Sequence, residues 1–99
     1  MKLLTKALRK RFEQIGRQEE SPDPIIVCKF FDPCSQWTWY ATEFDGNDTF
    51  FGYVVGSAKE LGYFSLTELS EFRGRLGLGI ERDLHFDECK LSEIPDYHK

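Results

Sequence analysis

Trp37-Thr38-Trp39-Tyr40-Ala41-Thr42-Glu43-Phe44, then Asp45-Gly46-Asn47-Asp48, then Thr49-Phe50-Phe51-Gly52-Tyr53-Val54-Val55 is the stretch that decides the fold. Two runs rich in aromatic and β-branched residues flank a cluster of turn formers, which is the signature of a β-hairpin. A two-residue Asp45-Gly46 turn would set Glu43 directly opposite Asp48, and like charges opposed across strands are destabilising. A three- or four-residue loop carries Asp48 into the turn, and that longer loop is the expectation.

Working outward, Ile25 to Phe31 is β-branched and aromatic and lies between Pro24 and Pro33, so it reads as a strand preceding the hairpin. Leu61 to Phe64 reads as a fourth strand. Ser65-Leu66-Thr67-Glu68 has the form of a capping box and opens a helix over about 66–73, closed by Gly74. At the other end, Thr5 is placed to cap a helix over about 5–16, whose apolar Leu8, Phe12 and Ile15 fall at helical spacing and which Gly16 ends. Residues 17–24 read as a polar linker. Residues 74–99 read as irregular, with a brief last strand at Asp83–Phe86. At 99 residues the chain has room for one modest core. A single α+β domain spanning 1–99 follows, with an antiparallel sheet of about four strands over 25–64 and helices before and after it.

Fifteen per cent of the residues are aromatic, and most of them lie between Phe30 and Phe64. Strict alternation sends Trp37 and Trp39 to one face of the sheet and Tyr40 and Phe44 to the other. The tryptophans are assigned to the core. The opposite face then presents aromatic and acidic residues, and Tyr40, Glu43, Asp45, Asp48, Phe51 and Tyr53 are the candidate interaction residues, since large aromatic surfaces are seldom exposed without use. Coverage of that face by the tail and the Gly74–Gly79 loop is the competing arrangement. The same face is open to a second copy of the chain.

Thirteen basic and 17 acidic residues give a net charge of −4, which disfavours general nucleic-acid binding. The charge is unevenly spread: residues 32–71 carry seven carboxylates against Lys59 alone. Lys6, Arg9, Lys10, Arg11 and Arg17 cluster near the N-terminus, and a nucleic-acid accessory role through them is the first alternative. No apolar run approaches the ~20 residues of a membrane span, and basic residues interrupt any signal-like segment, so a cytoplasmic protein with reduced cysteines is expected. No cofactor motif is present: the glycines of 74–79 follow no strand and precede no Lys-Ser/Thr pair. Cys28, Cys34, His85 and Cys89 are a weak candidate zinc set, because the Cys28–Cys34 spacing is wider than structural zinc sites use. A small metal-dependent hydrolase built on Glu43, Asp45, Asp48 and His85 is the second alternative.

The runs Lys29-Phe30-Phe31, Trp37 to Gly46, Asp48 to Gly52 and Glu60 to Leu66 with Glu68-Leu69, together with Met1-Lys2-Leu3-Leu4-Thr5 and Leu76 to Leu84, resemble a bacterial domain-of-unknown-function family of small proteins often encoded on plasmids, phages and integrative or conjugative elements. The resemblance implies a mobile-element setting and assigns no catalytic residue. With the aromatic and acidic sheet, it leads to the expectation of a non-enzymatic protein-interaction module, an anti-defence inhibitor or accessory factor with a host or element-encoded protein partner.

Overall fold

The structure, a computed structural model, describes residues 2–98. Its elements in chain order are α1 (Lys6–Ile15), β1 (Ile25–Ile26), β2 (Cys28–Phe31), β3 (Thr38–Phe44), β4 (Thr49–Val55), β5 (Lys59–Ser65), α2 (Leu66–Glu71), β6 (Glu81–Arg82), β7 (Cys89–Lys90) and α3 (Pro95–His98). Five strands form an antiparallel sheet in the order β5-β4-β3-β2-β6, and β1 pairs with β7 in a separate two-stranded ribbon. The α+β architecture agrees with the sequence expectation. The sheet gains a fifth strand, β6, and the segment expected to be one strand from Ile25 to Phe31 divides at Val27. The strand expected at Asp83–Phe86 is not there: β6 ends at Arg82, because the Asp83 carboxylate accepts from the His85 amide at 2.9 Å and turns the chain, and the last strand is β7 at Cys89–Lys90.

Local signals set the helix ends. Thr5 Oγ1 accepts from the Leu8 amide at 3.1 Å, and Gly16, at φ 70°, donates its amide to Phe12 O at 2.9 Å. Ser65 Oγ accepts from the Glu68 amide at 3.1 Å to start α2.

The β3–β4 hairpin closes over the four residues Asp45–Asp48, the longer of the two expected loops, with Glu43 opposite Phe51 and Phe44 opposite Phe50. The register between β3 and β4 shifts between Ala41 and Glu43, so Thr42 is the extra residue of a β-bulge. Its side chain is buried and donates to Phe51 O at 3.0 Å. The bulge reverses the alternation along β3. Phe44 therefore joins Trp39 and Ala41 on one face, while Tyr40 alone of the expected Tyr40/Phe44 pair points to the other. Backbone groups that the bulge and the start of β1 leave without ladder partners are taken up by Gln18: its Nε2 donates to Thr42 O and Ile25 O, and its Oε1 accepts from the Ile25 amide, all at 2.8 Å. The expected polar linker is thus a stitch between helix and sheet.

Each face of the sheet carries a core. On the first, Phe30, Ala41 and Phe50 pack with Phe12 of α1, Leu69 of α2, and Leu3, Leu4 and Ile80 from the connecting segments. Phe50 is the hub, with ring centroids 4.6 to 5.8 Å from Phe44, Phe64, Phe30 and Phe12. On the second, Tyr40 and Tyr53 pack beneath Leu91 and Ile94 of the C-terminal segment, with Ile26 and Phe86. That segment is tied down by the β1–β7 ribbon, by the Leu91 amide donating to Pro24 O at 2.9 Å, and by Ser92 donating to the Asp23 carboxylate.

Candidate functional site

The acidic residues of the hairpin are engaged in building it. Asp45 Oδ1 accepts from the amides of Asn47, Asp48 and Thr49 at 2.8 to 3.1 Å. Asp48 reaches across to α2, accepting from Ser65 Oγ and Thr67 Oγ1, each at 2.6 Å, and from the Thr67 amide at 2.8 Å. These hydrogen bonds favour the ionised form and hold both carboxyls below the ordinary value, Asp48 chiefly through Ser65 and Thr67, Asp45 chiefly through the Asn47 and Thr49 amides. Glu43 accepts from the Gln18 amide at 2.8 Å. The three carboxylates are each satisfied separately.

Tyr40 is not a surface residue. It is 3% exposed and Tyr53 is 7% exposed, because the C-terminal segment lies over both. The Tyr40 hydroxyl donates to Asp96 at 2.6 Å; burial first, then this carboxylate, pushes its pKa well above the ordinary phenol value. The Tyr97 ring meets Tyr53 edge-on. The surface expected from Tyr40, Phe51 and Tyr53 therefore shrinks to the part of that face beyond the tail, where half-buried Phe51 meets exposed Tyr63. The arrangement of competing coverage is the one that forms, with the tail as the cover.

Of the basic residues near the N-terminus, Lys6, Arg9 and Lys10 are exposed at i, i+3, i+4 spacing on α1, and Arg17 lies beyond its end. Arg11 makes a bidentate pair with Glu88, at 2.8 and 3.0 Å, and Arg9 lies over the Phe44 ring. Arg17 lies 3.8 Å from Glu19, while Lys6 and Lys10 are exposed. The candidate zinc set is divided by the sheet: Cys28 belongs to the first core and Cys89 packs against the second. Cys34 is exposed, and His85 stands in the turn after β6. Among the described residues no group of three or more His, Cys, Asp or Glu is placed to hold a metal ion. Burial pushes the Cys28 thiol up to about 12, which makes it a small core hydrophobe at neutral pH.

What remains open is a groove of about 420 Å³ on the first face, between β3, β5 and α2. Its apolar lining includes Trp37, Trp39, Phe64, Leu69 and Phe72, and its polar lining includes Asp32 and Glu68. The tryptophan rings stack with centroids 5.9 Å apart and planes inclined by 29°. Trp37 is 40% exposed and Phe72 43%. Trp37 lies directly on the Gly56 backbone, where an added Cβ would come within 2.3 Å of the ring, so the glycine seats the indole. Asp32 is buried in the groove wall, its carboxylate accepting from the Cys34 amide at 2.9 Å and Ser35 Oγ at 3.0 Å. The i, i+2 spacing of Trp37 and Trp39 signals their shared face, but nothing local shows that α2 stops short of covering them.

Fold and groove together define a small α+β domain whose sheet is covered on both faces, with a tryptophan-lined acidic cleft left open. The chain belongs to the family described as Protein of unknown function (DUF2958), whose model matches residues 3–97. No curated protein and no solved structure matches it. Among the described residues no helix is long and apolar enough to cross a membrane.

Proposed function

We propose that the protein is a protein-interaction module that takes a cationic side chain of a partner protein into the Trp37–Trp39 groove. The observation that carries this reading is the combination of stacked, partly exposed indoles with the Asp32 and Glu68 carboxylates in one cleft. Indole faces attract guanidinium and ammonium groups, tryptophan dominates protein-binding hot spots, and the surrounding residues 32–71 are strongly acidic, which steers basic partners. In the mobile-element setting that the sequence resemblance implies, a host complex with a basic nucleic-acid groove is the partner class that fits, and an anti-defence inhibitor acting in the cytoplasm is this reading made specific.

The test is a tryptophan-fluorescence titration with an arginine-rich peptide and with a glutamate-rich peptide of equal length. The arginine peptide should quench wild-type emission saturably, Glu68→Gln should weaken binding, and Trp37→Ala should weaken it by about tenfold, the cost of losing one hot-spot contact. Equal binding by Trp37→Ala and wild type would overturn the proposal.

A further inference from the structure

The two edges of the five-stranded sheet are unequal. The β6 edge is two residues long. The β5 edge is seven residues long, pairs with β4 in unbroken register, and contains no proline or bulge; its charged residues, Lys59 and Glu60, stand at its first two positions, so the stretch from Leu61 to Ser65 carries none of the devices that usually protect an edge from pairing with another chain.

The Leu66 amide donates to Asp48 O at 2.8 Å, and these residues continue the β4–β5 register. Hydrogen-bonded and non-bonded pairs alternate along an antiparallel ladder. Gly62 therefore bonds towards β4, while Leu61 and Tyr63 turn their backbone N–H and C=O groups outward. Their side chains are 53% and 72% exposed. Gly62 has no internal cause: its φ is ordinary and an added Cβ would meet nothing within 4 Å. A glycine inside a strand weakens it, and often marks a place where another backbone approaches closely.

We propose that β5 is the self-association edge of the protein, where a second copy adds its own β5 antiparallel about a two-fold axis through Gly62. This goes beyond the groove reading and does not depend on it. The register is singled out by the sequence. Centred on Gly62, it engages all seven residues of the strand, setting Leu61 opposite the second copy's Tyr63 and Lys59 opposite its Ser65. No like charges oppose each other, whereas centring on Glu60 would oppose two glutamates. The glycines meet as a non-hydrogen-bonded pair, where opposed Cα atoms come closest, at ~4.5 Å. The sheet then runs continuously through ten strands, twice the five of one copy.

The test is sedimentation velocity over a concentration series of the full chain, Gly62→Lys, Gly62→Glu, and an equimolar mixture of the two variants. The wild type should dimerise. Each single variant opposes two like charges on the axis and should weaken the dimer by about tenfold, while the mixture should restore it. The open space at Gly62 lets both variants keep the fold, checked by circular dichroism; Tyr63→Lys, at an exposed position, should also weaken the dimer and decides the matter if either variant unfolds. Arginine-peptide binding in the groove should survive in Gly62→Lys. A wild type that stays monomeric, variants that dimerise like wild type, or a mixture that stays monomeric would each overturn the proposal.

Discussion

Asp48 links two elements with one carboxylate, holding the β3–β4 turn and the first turn of α2 at once. Its pKa is lowered in the folded chain, as is that of Asp45. A carboxyl with a depressed folded value stabilises the fold fully above its unfolded value, and that contribution is lost as the pH falls through the folded one. Both residues start from 3.8, so the loss belongs to the acid range below about pH 4. Thermal melts down an acid series should show the wild-type melting temperature dropping there. Asp48→Asn should melt lower at neutral pH and lose less on acidification. The cysteines differ in the same residue-level way. With its thiol pushed up to about 12, Cys28 holds a thiolate fraction of only ~10⁻⁴ at pH 8 and is shielded as well. A thiol reagent followed by mass spectrometry should label exposed Cys34 first and Cys28 only on unfolding.

At the scale of the elements, the bulge at Thr42 decides which aromatic does what. Tyr40 and Tyr63 share the second face of the sheet, yet the tail covers the first and leaves the second 72% exposed. Tyr40→Ala should therefore cost about 3–5 kcal/mol, as buried aromatic truncations do, while Tyr63→Ala should change the stability by less than about 0.5 kcal/mol. Chemical denaturation of the two variants checks this. The hairpin, its four-residue loop and both helix caps were legible in the sequence because Asp45-Gly46-Asn47-Asp48, Thr5, Gly16 and Ser65 act on neighbours a few residues away. The bulge was not. Thr42 is an ordinary strand residue, and the shift in register depends on Gln18, 24 residues earlier, completing the hydrogen bonds. Without it, alternation places Phe44 on the wrong face.

For the whole molecule, the same reasoning relocates the candidate site. The ribbon between β1 and β7 brings the C-terminal segment over Tyr40 and Tyr53, a long-range pairing of two-residue strands that carries almost no sequence signal. With Tyr40 and Tyr53 covered, the aromatic surface of that face shrinks to Tyr63 and half-buried Phe51, and the aromatic groove lies on the helix side, between the tryptophans and α2. The acidic excess of residues 32–71 was readable from composition alone, but its meeting with Trp37 and Trp39 depends on Asp32 and Glu68 converging from different parts of the chain. The most direct measurement is a ¹H–¹⁵N correlation spectrum recorded during titration with the arginine-rich peptide, since the protein contains only two tryptophans and their indole N–H signals stand apart. The Trp37 and Trp39 indole resonances should move together with the amides of Glu68 and Phe72, while those of Tyr40 and Tyr53 stay in place. Shifts confined to Phe51, Tyr53 and Tyr97, with both indoles unmoved, would contradict the account.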